Sequence, residues 1–212
     1  MKIGIIGSGR LGRALGVRLA SAGHAIFFGG GHSDASRRAA EAVTGARLGT
    51  NAAAAEFGDV VVLAVPFSKI DEAIKQTEGK LAGTIVWSCV NALTPDLTGL
   101  AVGFDTSAAE RVAARVVEEA SARVVAALPP FAELLAGGEL DFAGELPDVF
   151  VCGDDQGAKS EVFRLVTDLG ARPVDAGPLV AARLVEPAMM LLVTLAYRGG
   201  TPRGLGLKLL EK

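Results

Sequence analysis

The stretch KIGIIGSGRLGRALGVRLASAGHAIFFG, residues Lys2 to Gly29, contains the strongest structural signal in the chain. An apolar run at its start leads into a glycine-rich turn, and an amphipathic helical segment follows at once. The glycines of that turn, Gly7, Gly9 and Gly12, have the spacing G-x-G-x-x-G. The first permits a tight turn, the second lets a pyrophosphate approach the backbone, and the third lets the helix pack on the strand. The stretch therefore predicts the opening unit of a dinucleotide-binding sheet.

The predicted pyrophosphate site combines this turn with the start of the helix, where unpaired N–H groups and the positive end of the dipole face an anion. Its residues are Gly7, Ser8, Gly9, Arg10, Leu11 and Gly12. The alternative is a glycine turn with a structural role alone. The position of the turn between a strand and an amphipathic helix, with a second strand following, favours dinucleotide binding.

The end of the second predicted strand, near Phe28, is where the adenosine ribose of a bound dinucleotide would lie. An acidic side chain there would bind the 2′-hydroxyl of NAD, but the first acid, Asp34, comes several residues later. Glycine N–H groups, a serine and basic side chains favour a 2′-phosphate instead. The predicted residues are Gly30, Gly31, His32, Ser33 and Arg37, which favours NADP(H) over NAD(H). In the alternative, Arg37 and Arg38 form a solvated helix face and the cofactor preference is undetermined.

The rest of the chain alternates short apolar runs with helical segments, which predicts an α/β fold with a parallel sheet. The predicted strands are Lys2–Gly7, Ala25–Gly29, Val60–Val65, Ile85–Cys89, Val124–Ala127, Val149–Cys152 and Ala171–Val174. The predicted helices are Arg10–Ala22, Ser33–Val43, Lys69–Gln76, Ala108–Ala122, Gln156–Leu169 and Leu179–Tyr197. We expect an N-terminal Rossmann domain (1–105) and a smaller C-terminal α/β portion (106–212), which share one sheet or pack closely together.

Several residues are expected at the rim of the sheet, beyond the carboxyl ends of the strands, where ligands bind in such folds. Near the nicotinamide we expect Val65, Pro66, Phe67 and Asn91. The segment 128–147 shows little periodicity and predicts a functional lid or binding loop. Its start, Leu128, Pro129, Pro130 and Phe131, is apolar and stiff, and is expected to form the pocket of the hydride acceptor. The alternatives are a strand-terminating proline, a turn-forming asparagine and ordinary lid packing.

No side chain is expected to act as a catalytic acid or base, because hydride transfer depends on the alignment of donor and acceptor. His24 is expected to be a surface turn residue, and Asp154, Asp155 and Asp175 are expected to be helix caps. Arg183 and Glu186 lie three apart on one predicted helix, which favours a local ion pair. The segment from Met189 to Leu192 is expected in the core or in a subunit interface.

Composition excludes several classes of protein. Of the 212 residues, 50% are hydrophobic, and the net charge is −3 without a Lys/Arg block, so we expect no nucleic-acid partner. No uninterrupted apolar run reaches the ~18 residues of a membrane span, so we expect no membrane partner. Cys89 and Cys152 have neither a C-x-x-C partner nor a histidine at metal-ligand spacing. We therefore expect no metal site and a reduced, cytoplasmic protein.

The chain resembles the NADPH-dependent reductases of the deazaflavin coenzyme F420 over nearly its full length. The more specific matches are Ser107–Glu110, Val151–Asp155, Asp175–Leu179, Arg183–Glu186 and the closing Gly204–Lys208. The resemblance implies an N-terminal Rossmann domain, a homo-oligomer, which we expect to be a homodimer, and hydride exchange between NADP(H) and a deazaflavin or flavin-like acceptor. It also implies that Leu207 belongs to the acceptor pocket.

The chain departs from the family pattern at two places. The family has Ser-Arg-Arg after the second strand, where this chain has Gly30, Gly31 and His32. It also has a histidine near the deazaflavin, where Pro129 stands here. Two alternatives therefore stay open: an NADP(H)-dependent reductase of a small imine or carbonyl compound, and a dinucleotide-sensing module without turnover.

Overall fold

A computed structural model describes residues 1–117, 122–138, 140–198 and 204–210. Its centre is one eight-stranded sheet with the order β3-β2-β1-β4-β5-β6-β7-β8. The strands are β1 (Lys2–Ile6), β2 (Ala25–Phe28), β3 (Arg47–Leu48), β4 (Val60–Leu63), β5 (Ile85–Ser88), β6 (Arg123–Ala127), β7 (Asp148–Gly153) and β8 (Arg172–Gly177). Strands β1 to β6 pair in parallel, β7 runs antiparallel to β6, and β8 is parallel to β7.

Helices cover both faces of the sheet. They are α1 (Arg10–Ser21), α2 (Asp34–Glu41), α3 (Asn51–Phe57), α4 (Ile70–Lys75), α5 (Ala108–Val117), α6 (Ala132–Ala136), α7 (Gln156–Asp168) and α8 (Ala182–Tyr197). Alternate strand residues face opposite ways, so Ile5 belongs to the core on the side of α1, α2 and α7, whereas Ile6 belongs to the core on the side of α4, α5 and α8. This two-faced burial explains why the strands are continuous Val/Ile/Leu runs. The predicted α/β class is confirmed.

The two predicted portions of the chain share one continuous sheet, because β6 pairs directly with β5. The proposed boundary at 105/106 falls just before α5 and stays a prediction. All seven predicted strands are present, with ends that differ by no more than three residues. Strand β3 and helix α3 were missed. The predicted helix Ala108–Ala122 is observed as far as Val117, and residues 118–121 lie outside the described residues.

The predicted loop 128–147 contains regular structure, which corrects the expectation of a long irregular segment. Helix α6 (Ala132–Ala136) begins directly after Phe131, and Phe142 and Glu145 form a short antiparallel bridge. The helix has only five residues, too few for a periodic apolar pattern to be visible in the sequence.

The stretch Leu179–Tyr197 is long and apolar enough for one membrane span by length and composition alone. It comprises a 3-10 turn (Leu179–Ala181) and α8. The apolar run here is not uninterrupted, because Arg183 and Glu186 lie within it. Both charged side chains are hydrogen-bonded to α5, and the helix packs on the sheet. This is weak evidence for a span, since core helices of soluble proteins meet the same criteria.

Candidate functional site

The glycine-rich turn between β1 and α1 has one distinct geometry at each glycine. Gly7 has a φ of +104°, which favours glycine, and a Cβ there would overlap the carbonyl oxygen of Ala64. A Cβ on Gly12 would overlap the carbonyl oxygen of Gly7, so this glycine lets α1 pack against the turn. Gly9 is different, because a Cβ there would meet no atom within 4 Å. The fold requires the first and third glycines, whereas the second keeps an open space in front of α1.

The first turn of α1 faces this open space without a side-chain cap in the described structure. By contrast, Ser33, Thr50 and Asp155 cap α2, α3 and α7 with their side chains, the last as predicted. The first N–H groups of a helix need an acceptor, and its dipole favours an anion there. The arrangement fits a pyrophosphate group, which would occupy the space that a side chain at Gly9 would fill.

The corner after β2 is built from a serine cluster. Ser36 is fully buried and donates its hydroxyl proton to the carbonyl oxygen of Gly29 at 3.1 Å. The hydroxyls of Ser8 and Ser33 lie 2.9 and 2.8 Å from the Ser36 oxygen, so both must donate to it. The cluster therefore connects the glycine-rich turn with the N-terminus of α2.

The residues expected near a 2′-phosphate lie around this cluster. Gly30 and Gly31 have φ values of +90° and +62°, which is compatible with an open turn. His32 is exposed, and Arg37 donates to Asp34 at 3.1 Å on the same helix. Asp34, the first acid after β2, is thus engaged with a basic side chain of α2 rather than directed alone at a ribose.

A cavity of about 620 Å³ lies at the carboxyl ends of β4, β5 and β6. It begins beside the glycine-rich turn and extends to the wall that follows β6. Of the sequence-predicted site residues, the cavity is lined by Arg10, Leu11, Val65, Pro66, Phe67, Asn91, Leu128, Pro129, Pro130 and Phe131. The structure thus brings together the predicted nicotinamide and acceptor segments.

The cavity has further walls that the sequence did not indicate. They are formed by Ser68, Lys69, Cys89, Leu93, Thr94, Pro95, Leu97, Ala132, Glu133, Met189, Val193 and Tyr197. Met189 corrects the expectation that its segment serves only the core or an interface. A periodic apolar pattern identifies a buried helix face, but it cannot distinguish core positions from those beside a cavity.

One predicted residue lies outside the cavity, and the amide of another is hydrogen-bonded within the protein. Leu207 lies behind the cavity wall, in a separate small space beside Pro130, because the backbone N–H of Asp148 donates to its carbonyl oxygen at 2.7 Å. Asn91 lines the cavity, but its Nδ2 donates to the carbonyl oxygen of Glu186 at 3.2 Å and its Oδ1 is enclosed. In this structure its amide group thus connects the end of β5 to α8.

An ion pair crosses one side of the cavity. Arg10 of α1 lies 2.7 Å from the carboxylate of Glu133 in α6, and the hydroxyl of Tyr197 donates to the same carboxylate at 3.3 Å. Tyr197 also packs edge-on against Phe131, with ring centroids 6.1 Å apart. The three polar residues connect α1, α6 and α8 beside the cavity.

The cavity contains neither an ionised thiol nor, among the described residues, a cluster of side chains that could bind a metal ion. Burial raises the pKa of the Cys89 thiol well above its usual value, so the group is a neutral thiol at neutral pH. Within the described ranges no group of three or more His, Cys, Asp or Glu side chains could hold a metal ion. His24, which was expected at the surface, is largely buried and lies 2.9 Å from Asp168, away from the cavity.

The predicted ion pair between Arg183 and Glu186 is absent, and both side chains contact α5 instead. Arg183 donates twice to Glu110, at 2.8 and 2.7 Å. The buried carboxylate of Glu186 accepts from the backbone N–H groups of Ala108 and Ala109 at 2.9 and 3.1 Å. Spacing along one helix suggested a local pair, but the tertiary partners on α5 offered more hydrogen bonds.

Burial raises the pKa of Glu186 from 4.5 to about 7, although the α5 amides oppose the shift. The folded protein then holds a proton that the unfolded chain releases near pH 4.5, so the carboxyl stabilises the fold most below that pH. We expect the free energy of unfolding to fall by up to ~1.4 kcal/mol per pH unit between about pH 4.5 and about pH 7. In Glu186→Gln the loss of unfolding free energy between these two pH values should be about 2 kcal/mol smaller, as measured by urea titrations. An unchanged slope in Glu186→Gln would refute the assignment.

Comparison with known proteins identifies the family. The protein-family model described as "NADP oxidoreductase coenzyme F420-dependent" matches residues 2–92. An F420-dependent NADP reductase of Methanothermobacter marburgensis is 31% identical over 210 residues, which cover 92% of each chain. Another, of Methanocaldococcus jannaschii, is 34% identical over 150 residues, 68% of this chain and 65% of the relative.

Solved structures agree with this relationship. A crystal structure from Arthrobacter sp. FB24, described as a candidate F420-dependent NADP reductase, superposes with a TM-score of 0.87 at 26% identity, with both chains covered completely. An imine reductase of Streptomyces aurantiacus has a TM-score of 0.63 at 15% identity over 93% of this chain and 64% of that one, which shows a shared fold alone. The chain belongs to the family of F420-dependent NADP reductases.

Proposed function

We propose that this protein is an oxidoreductase that transfers a hydride between NADP(H) and coenzyme F420. The observation that carries the proposal is the continuity of the site: the uncapped glycine-rich turn opens into the 620 Å³ cavity, with Arg10 and Leu11 lining it. A dinucleotide that places its pyrophosphate at Gly9 would extend its nicotinamide toward Val65 and Pro66. An apolar wall for a second ring system lies in the same cavity.

The nucleotide half of the site supports NADP(H). Gly7 to Gly12 would hold the pyrophosphate through backbone N–H groups. The turn Gly30–Ser33, with Arg37 and Arg38 on α2, would hold the 2′-phosphate, and the nearest acid, Asp34, is paired with Arg37. We expect calorimetry to show NADPH binding several-fold more tightly than NADH. Equal affinities would show that this turn does not bind the 2′-phosphate.

The acceptor half of the site supports a flat ring system. The nicotinamide supplies the hydride, and the protein must align the two rings and exclude water. Leu128, Pro129, Pro130 and Phe131 form a stiff apolar wall, and Met189 and Val193 of α8 enclose the cavity further. Pro129 has no ionisable group, so water exclusion and alignment, rather than acid–base chemistry, are the contribution of this wall.

Stopped-flow spectroscopy tests the activity directly. The protein is mixed with NADPH and, in separate experiments, with F420, free flavin or a panel of imines and carbonyl compounds. We expect rapid oxidation of NADPH with F420. Oxidation with an imine alone would favour a small-substrate reductase, and nucleotide binding without oxidation by any acceptor would favour a sensing module.

We further propose a cytoplasmic homodimer, formed through the exposed face of α8 and the turn before it. Val180, Leu184, Leu191 and Leu195 repeat at helical spacing along one face, and Leu184 and Leu191 are 68% and 59% exposed. Large apolar side chains grouped in this way mark an interaction surface. The two free cysteines support a reducing compartment. Sedimentation velocity at twice the monomer mass would support the dimer, and a monomer at micromolar concentration would refute it.

A further inference from the structure

A groove of about 270 Å³ lies between α1 and α6, on the outside of the main cavity. Arg10, Arg13, Ala14 and Val17 form one wall, and Ala132 and Glu133 are part of the other. The α1 positions are three and four residues apart, so they share one face of that helix. The main cavity and the groove have Arg10, Ala132 and Glu133 in common, so the groove adjoins the cavity at the Arg10–Glu133 ion pair.

The groove contains one cationic side chain, that of Arg13, without a charged partner among the described residues. Arg10 and Glu133 neutralise each other in their ion pair. Arg13 is exposed and has no hydrogen bond or ion pair to any residue in the described part of the chain. It lines the groove but not the main cavity, so it is not placed beside a nicotinamide held there. Its guanidinium is therefore available to a ligand that leaves the cavity through the groove.

The two walls of the groove are fixed relative to each other. The side chain of Arg18, which directly follows Val17 on α1, donates through Nε to the carbonyl oxygen of Leu135 in α6 at 2.7 Å. This bond connects the body of α1 to the helix that follows the acceptor wall. A ligand in the groove would meet preformed walls, which lowers the entropic cost of binding.

We propose that this groove binds the negatively charged side chain of the hydride acceptor, with Arg13 as its cationic contact. The inference rests on the proposed function and adds a second binding region to it. Coenzyme F420 carries its ring on a phosphodiester and glutamate chain, whereas the ring with its ribityl group alone lacks the phosphate and carboxylate charges of that chain. A ring against Phe131 would direct that chain out of the cavity, and Arg13 offers a fork of donors that matches phosphate and carboxylate oxygens.

The test compares intact F420 with its ribityl-deazaflavin fragment, which lacks the phosphate and the carboxylates, as acceptors in steady-state assays with NADPH. We expect Arg13→Gln to raise the KM for F420 about fivefold, the effect of one partly exposed charge contact. The kcat, the KM for the fragment and the affinity for NADPH should not change. High salt should reduce the preference of the unmodified protein for F420 over the fragment.

The matched control is Arg164→Gln, which removes an equally charged, exposed side chain on α7 that lines none of the three cavities. It should leave both KM values unchanged. An unchanged KM for F420 in Arg13→Gln, or an equal rise for both acceptors, would overturn the inference. If the unmodified protein reduces both acceptors with equal KM, the proposal for the groove is refuted but the proposed function is not. If it reduces neither acceptor, the proposed function is refuted as well.

Discussion

Replacing Gly9 with valine is expected to abolish NADPH binding while leaving the fold intact. The backbone at Gly9 has φ −67°, which any residue can adopt, and a Cβ there meets no atom within 4 Å. Valine would therefore fit the protein but fill the space in front of α1 that the pyrophosphate needs. We expect a loss of affinity of at least about 100-fold, or ~2.7 kcal/mol, in isothermal titration calorimetry.

Two other glycines provide controls for this substitution. A Cβ on Gly103 also meets no atom within 4 Å, and this glycine lines none of the three cavities, so Gly103→Val should bind NADPH normally. Gly12→Val should instead destabilise the fold, because its Cβ overlaps the carbonyl oxygen of Gly7. If Gly9→Val is folded and retains full affinity, the nucleotide does not bind at this turn.

Replacing Trp87 with alanine is expected to cost about 3–5 kcal/mol of unfolding free energy. Trp87 lies in β5, is completely buried, and donates from its indole Nε1 to the carbonyl oxygen of Ala127 at 2.9 Å. Alanine would leave a large cavity between the sheet and its helices and would remove a buried hydrogen bond. Most domains of this size have 5–15 kcal/mol of stability, so the variant should lie near the limit of folding.

Urea unfolding followed by circular dichroism measures this effect, since the substitution removes the only tryptophan of the chain. Trp87→Phe keeps most of the buried volume and loses the hydrogen bond, so it should cost less than the alanine variant. Ala127 directly precedes the wall Leu128–Phe131, so the hydrogen bond also connects β5 to the start of the acceptor pocket. A cost below about 1 kcal/mol for Trp87→Ala would contradict this role.

The sequence predicted the parts of the fold that have a clear physical pattern. Buried parallel strands such as β4 (Val60–Leu63) are uninterrupted apolar runs, and long helices such as α7 have a visible apolar face. Strand β3 has two residues, Arg47 and Leu48, and α3 has seven, mostly alanine. Elements this short have no measurable period, and their structure depends on the neighbours they pair with or pack against.

The candidate site could be predicted where it depends on topology. Parallel strands end at one edge of the sheet, so Val65, Asn91 and Leu128 were expected together and all line the cavity. The contributions of α8 could not be inferred, because nothing in the sequence indicates which of its apolar residues faces the cavity. The same limit explains Arg183, whose partner Glu110 is 73 residues away along the chain.

Transfer of a deuteride tests the central claim most directly. The protein is incubated without oxygen with oxidised F420 and NADPH that carries deuterium at the transferable position of the nicotinamide, and the reduced deazaflavin is analysed by mass spectrometry. If the cavity aligns the two rings and excludes water, one deuterium should appear in each reduced deazaflavin, with none lost to the solvent. Reduction without deuterium in the product, or the absence of reduction, would contradict hydride transfer in this cavity.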